Sequence, residues 1–155
     1  LLSYFYPLDS VLQWNRIFGK KGFYQYQCVI PKKPDGVNYL RKLLQSISDA
    51  KTGSFLAILK LFGPRDEPYL AFASEGYTLA LDFPNRTGTE ALFKKLDEIV
   101  LQSGGRLYLT KDARMSRTMF EEGYPQLGLF KAEKRKIDPE NRYTSIQAER
   151  LGLVH

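Results

Sequence analysis

The sequence predicts an α+β fold, an antiparallel sheet with its helices on one face in the ferredoxin-like order βαββαβ, followed by further C-terminal helices. Three observations carry this expectation. Two stretches repeat apolar residues at helical spacing, four others have the alternating or continuous apolar character of strands, and Pro or Gly punctuates the junctions.

The first segment, Tyr4 to Lys21, is rich in aromatic and apolar residues but has no clean period, and it reads as an irregular arm. Phe23 to Ile30 is a strand signal that stops at Pro31. Side chains alternate along a strand, so Tyr24, Tyr26, Cys28 and Ile30 share one face, and Phe23, Gln25, Gln27 and Val29 share the other. Val37, Leu40, Leu44 and Ile47 then recur at helical spacing between polar residues, which predicts an amphipathic helix ending before Gly53.

Ser54 to Phe62 is a nearly continuous apolar run interrupted by Lys60, the pattern of a strand covered on both faces. After a polar turn, Tyr77, Leu79, Leu81 and Phe83 alternate with Thr78, Ala80 and Asp82 in a strand closed by Pro84. A second amphipathic helix follows from about Thr87 to Ser103, with Leu92, Leu96, Ile99 and Val100 on one face. Gly104-Gly105 stops it, and Arg106 to Thr110 reads as a short strand in which Tyr108 and Thr110 share a face. The tail predicts a helix capped by Ser116, a second from Leu127 to Ile137 broken by Asp138-Pro139, and a short docking helix within Ser145 to Leu153.

Composition narrows the chemistry. The 155 residues, 43% hydrophobic and 26% charged, allow one domain with a real core, and no apolar run approaches the ~18–20 residues of a membrane-spanning helix. The start at Leu1 has neither Met nor the order of a signal peptide, which is the expectation for an excised piece of a longer chain. Cys28 is the one cysteine and His155 the one histidine, so an intrachain disulfide, a thiolate metal site and a His general base in the body of the chain are excluded. The net charge of +6 permits anionic partners without choosing among them.

The sheet face away from the helices is where the polar residues collect. If the strand parities coincide, Gln25, Gln27, Lys60, Thr78 and Asp82 stand together among apolar neighbours, a surface suited to a polyhydroxylated or amphipathic ligand. The plain alternative is a wetted sheet face, with Lys60 and Asp82 as a structural ion pair. Lys111-Asp112-Ala113-Arg114 adds dense charge at the rim, where a solvated turn is the ordinary explanation. The run Lys131, Lys134, Arg135 and Lys136 is interrupted by Glu133 and reads as a solvated helix face, and Tyr24 and Tyr26 read as core rather than as a base-stacking platform. The residues alone leave open a stand-alone ferredoxin-like module that binds nucleic acid or another anion, and a surface that only packs or oligomerises.

A resemblance then enters on specific residues. Tyr6-Pro7-Leu8-Asp9 with Trp14-Asn15-Arg16, Gly22-Phe23-Tyr24-Gln25-Tyr26-Gln27, Ser54-Phe55-Leu56 with Lys60-Leu61-Phe62-Gly63-Pro64, and Leu81-Asp82-Phe83-Pro84 form an ordered series. It continues through Gly104-Gly105-Arg106-Leu107-Tyr108 with Lys111-Asp112, Lys136-Ile137-Asp138-Pro139 and Arg150-Leu151-Gly152-Leu153. The series resembles the C-terminal half of FAD-linked oxidases of the vanillyl-alcohol oxidase type, a likeness shared with sugar-lactone oxidases. It implies that residues 1–155 are a single cap, or substrate, domain whose FAD is bound mainly by an N-terminal domain outside this sequence.

The resemblance further implies that Gln25, Gln27, Lys60 and Thr78 meet a sugar or lipid-linked sugar substrate, such as a polyprenyl-phosphoryl pentose, with Ala80 beside them. Lys111 would be the catalytic cation, contacting FAD together with Tyr108, and the arm from Leu8 to Lys21 would be a lid over the substrate. At Thr78 and Ala80 the sequence departs from the family, where Asn, and in some members Cys, is usual. A cytoplasmic or membrane-peripheral oxidoreductase reoxidised by oxygen or by a partner reductase is the expected whole, and nucleic acid is not an expected partner.

Overall fold

The computed structural model describes residues 19–54, 56–66 and 68–154, together with Leu12, Gln13 and Arg16. The expected lid-like arm falls largely outside the described residues, as does His155.

The predicted class and order are observed. Strands β1 (Phe23–Pro31), β2 (Ala57–Phe62), β3 (Gly76–Pro84) and β4 (Arg106–Leu107) form one antiparallel sheet in the spatial order β2-β3-β1-β4. Helices α1 (Gly36–Asp49) and α2 (Thr89–Gln102) are the two crossovers and pack against each other and the sheet. The tail adds α3 (Arg117–Gly123), α4 (Leu127–Ile137) and α5 (Ile146–Arg150). Among the described residues no helix is long and apolar enough to cross a membrane.

The core lies between sheet and helices. Tyr26, Cys28 and Ile30 of β1 and Leu79, Leu81 and Phe83 of β3 are buried against Leu40, Leu43 and Ile47 of α1 and Leu92, Phe93, Leu96 and Val100 of α2. Each such side chain contributes ~1.5–3 kcal/mol by leaving water. Phe93 is the hub, with Tyr26 stacked on it at 5.2 Å and Tyr24 and Phe83 meeting it edge-on. Tyr24 and Tyr26 are thus spent on packing, as expected from their parity.

Three expectations need correction. The buried stripe of α1 runs through Leu40, Leu43 and Ile47, whereas Val37 and Leu44 are exposed. Leu43 and Leu44 both fit an apolar helical stripe, and docking against β1 and β3 selects the former. Second, β2 is not covered on both faces. It is the outermost strand, and Leu59 and Leu61 are 54% and 59% exposed. A continuous apolar run reports that a strand is meant to be covered, but not by what.

Third, β4 ends at Leu107 rather than Thr110, because the chain tightens into a 3-10 turn over Leu109–Lys111. The N–H of Tyr108 still donates to the Gln27 carbonyl at 2.9 Å, but Thr110 no longer shares a sheet face with Tyr108. The glycine pair before β4 behaves as expected. Gly104 ends α2 with φ +75°, and a Cβ on Gly105 would lie 2.2 Å from the Val29 carbonyl oxygen, so only glycine lets β4 close onto β1.

In the tail, the Ser116 hydroxyl accepts from the Met119 N–H at the start of α3, and the Ser145 hydroxyl accepts from the Ala148 N–H at the start of α5. Met119, Phe120 and Tyr124 are buried, and the Tyr124 hydroxyl donates to the Leu107 carbonyl at 2.6 Å, which ties the tail to β4.

Candidate functional site

The sheet face opposite the helices carries the polar residues that strand parity assigned to it. Pairing register puts Gln25 opposite Asp82, Gln27 opposite Ala80 with Ile58 beyond, and Lys60 opposite Thr78. One end of this face is closed by the β2–β3 connection, which stacks Phe72 on Tyr108 at 4.5 Å and is tied to β4 where Arg106 donates to the Ala71 carbonyl. The other end forms a cavity of about 170 Å³ bordered by Gln25, Gln27, Lys60, Thr78, Asp82 and Lys111, with Leu56, Ile58 and Ala80 as its apolar floor.

The hydrogen bonds crossing this cavity fix its polarity. Lys111 Nζ donates to Gln25 Oε1 at 2.9 Å, and Gln25 Nε2 donates to Asp82 Oδ1 at 3.2 Å. The amide is therefore oriented, since the ammonium can donate only to its oxygen and the carboxylate can accept only from its nitrogen. Gln27 Nε2 donates to Thr78 Oγ1 at 3.4 Å, which leaves the Gln27 carbonyl oxygen as an acceptor for a ligand. The main-chain N–H of Asp82 donates to the Ser54 hydroxyl at 2.7 Å.

Lys60 is exposed and has no ion-pair partner among the described residues, so the Lys60–Asp82 pair weighed from the sequence is not formed. Two ammonium groups, Lys60 and Lys111, thus line the cavity, and Lys111 spends one of its three donors on Gln25. A surface offering two cations, two amides, a hydroxyl and one carboxylate on an apolar floor can hold a polyol through hydrogen bonds and can stabilise negative charge at its rim.

Five of the residues singled out from the sequence, Gln25, Gln27, Lys60, Thr78 and Lys111, meet at this cavity. Tyr108 does not border this cavity, but it lines with Lys111, Gln25 and Gln27 a smaller pocket of about 20 Å³, and with Phe72, Phe62 and Arg65 it borders another of about 510 Å³. Asp82 was legible as a sheet-face residue but not as the partner of Gln25, because the choice between Gln25 and Lys60 depends on lateral register. Among the described residues there is no cluster of three metal-ligating side chains.

The implied flavin can be tested against these groups. Lys111 stands exposed at the rim with donors to spare, which fits the edge of a flavin ring that gains negative charge on reduction. The cavity residues include no glycine-rich phosphate cradle, so the donor set fits the ring of that cofactor and not its pyrophosphate.

No family model matches the chain. It is similar to decaprenylphosphoryl-beta-D-ribose oxidase of Mycolicibacterium smegmatis, 36% identical over 154 residues, which is 99% of this chain and 33% of that protein. It is also similar to an uncharacterized protein of Streptomyces coelicolor, 34% identical over 145 residues, 92% of this chain and 39% of that one. The likeness read from the ordered residue series is therefore found in direct comparison, and the chain spans about a third of the length of the oxidase it matches.

Proposed function

We propose that this chain is the substrate-facing cap of an FAD-dependent oxidoreductase that oxidises a hydroxyl of a sugar or lipid-linked sugar, a polyprenyl-phosphoryl pentose being the substrate class that the similar oxidase suggests by name. The observation that carries the reading is the Lys111–Gln25–Asp82 chain of hydrogen bonds beside Lys60, over the apolar floor of Leu56, Ile58 and Ala80. Neither ammonium group is bonded to a carboxylate among the described residues, so both keep donors for an anionic or hydroxylated ligand.

Each residue then has a task. Gln25, held between Lys111 and Asp82, presents a fixed amide to substrate hydroxyls, and Gln27, turned by Thr78, presents its carbonyl oxygen. Lys60 donates to sugar or phosphate oxygens from β2, and Ile58 and Leu56 displace water from the apolar face of the sugar ring. When bound, the flavin supplies the acceptor for a hydride from the carbinol carbon. Lys111 would offer its remaining donors to the negative charge gained at the flavin edge and to the substrate oxygen, while the proton lost by the hydroxyl would pass to solvent at the exposed rim. Tyr108, held by its backbone bond to β1 and its stack on Phe72, lines a small pocket with Lys111 and would meet the flavin beside it. The FAD itself is held mainly by the remainder of a longer protein, and the acceptor that reoxidises it is oxygen or a partner reductase.

In the longer flavin-loaded protein, Lys111→Ala is expected to slow flavin reduction by substrate by about 10²–10³-fold, the usual loss when one charge-stabilising donor is removed. Stopped-flow bleaching of the flavin absorbance measures this, and reduction at the wild-type rate would overturn the assignment. The stand-alone nucleic-acid reading loses its aromatic support, since Tyr24 and Tyr26 pack on Phe93 of α2, and rests on the net charge of +6 alone.

A further inference from the structure

Lys111 is the last residue of the three-residue 3-10 turn, so its place beside Gln25 needs a cause beyond its own exposed side chain. The neighbouring residue supplies one. The Asp112 carboxylate is 3% exposed and accepts four hydrogen bonds. Its Oδ1 accepts from the N–H groups of Arg114 and Met115 at 2.8 and 2.5 Å, and its Oδ2 accepts from Arg150 Nη2 at 2.6 Å and Gln147 Nε2 at 3.3 Å. Both oxygens are fully engaged by the protein, which leaves Asp112 nothing to offer a ligand.

The two side-chain donors come from α5, three residues apart and so on one face of that helix. Each makes a second bond to the same turn. Gln147 Nε2 donates to the Leu109 carbonyl at 2.8 Å, and Arg150 Nη1 donates to the Met115 carbonyl. A five-residue helix has little stability of its own, and this one is fastened by buried Leu151 and by its Ser145 cap. Its side chains thereby grip the turn on both flanks of Lys111.

Resting on the functional reading above, we infer that Asp112, clasped by Gln147 and Arg150 of α5, is the positioning residue that holds Lys111 against Gln25. The chemistry of the pair fits that duty. One guanidinium N–H, one side-chain amide N–H and two backbone N–H groups on one buried carboxylate fix direction as well as distance, and the second guanidinium N–H ties the same side chain to the Met115 carbonyl. Burial alone would push the Asp112 carboxyl up, yet the bonds from Arg150, Met115 and Arg114 hold it below its ordinary value, so the clasp stays charged at neutral pH.

The test is made first on this chain by NMR. Arg150→Ala is expected to speed exchange of the Lys111, Asp112, Arg114 and Met115 amides by about tenfold or more. It should also move the Gln25 side-chain NH₂ signals toward their positions in Lys111→Ala, with the β1 and β3 amides unchanged. Arg150→Lys keeps one cation on Asp112 and should recover part of both effects. If Arg150→Ala loses protection throughout the sheet, Gln147→Ala, which removes the Leu109 bond, carries the same test. Wild-type exchange and unmoved Gln25 signals in these variants would overturn the inference.

The second measurement is made in the flavin-loaded longer protein, where kcat should fall in Arg150→Ala with KM near the wild-type value. A loosened turn with unchanged kcat would leave the clasp standing and overturn the role given to Lys111.

Discussion

Cys28 has no exposed surface, and burial, with the Asp97 carboxylate adding to it, pushes its thiol up to about 12. The thiolate needed for alkylation is therefore scarce as well as inaccessible. Iodoacetamide is expected to leave Cys28 unmodified in the folded protein and to label it within minutes in denaturant, as mass spectrometry would show. Asp112 behaves in the opposite sense. Its carboxyl is held low in the folded protein, so its contribution to stability is fully present above the unfolded value near ~3.9 and is lost as pH falls through the folded value. Asp112→Asn should cost about 1–3 kcal/mol at neutral pH through weakened charge-assisted hydrogen bonds, and the gap in urea midpoint from wild type should close as pH drops below about 4. A gap unchanged down to pH 2 would contradict this account. Residues of this kind were only partly legible in advance. Asp112 and Arg114 are a charged turn in sequence, and only the return of α5 from 35 or more residues away shows what Asp112 holds.

Among the elements, the amphipathic helices were read well and the strands less so. On α2 the residues read from the sequence, Leu92, Leu96, Ile99 and Val100, are all buried, but Phe93, the hub of the core, was not among them. On α1 the adjacent Leu43 and Leu44 made two stripes plausible, and tertiary contact decided between them. Leu43→Ala is accordingly expected to cost about 2–5 kcal/mol, while Leu44→Ala should stay within about 0.5 kcal/mol, measured by denaturant unfolding. Equal losses would mean that the helix is rotated. For β2 the apolar run correctly marked a strand meant to be covered, yet the described residues leave it as the edge of the sheet. Local pattern cannot distinguish an edge strand from a central one, because cover is supplied by other parts of a polypeptide. Strand β4 was overread for a different reason. The 3-10 turn that ends it is held by side chains of α5 and by Tyr124, none of which leaves a signal in residues 106–110.

Taken as a whole, the molecule builds its polar cavity from strands that are distant in sequence and adjacent in space. Strand parity placed Gln25, Gln27, Lys60 and Thr78 on one face because period-two alternation depends only on local geometry. The hydrogen bonds among them depended on lateral register and on where β4 stops, and these emerge only when all four strands and the tail are assembled. The bond from Lys111 to Gln25 joins residues 86 positions apart, and the Arg150 bond to Asp112 must form across a further 38. Closing such long loops costs entropy that is recovered only once the final contacts are made. In kinetic terms, the cavity is expected to assemble late in folding. A chain in which only β1 and β3 have condensed on Phe93 has no seat for Lys111 until the last fifty residues have docked.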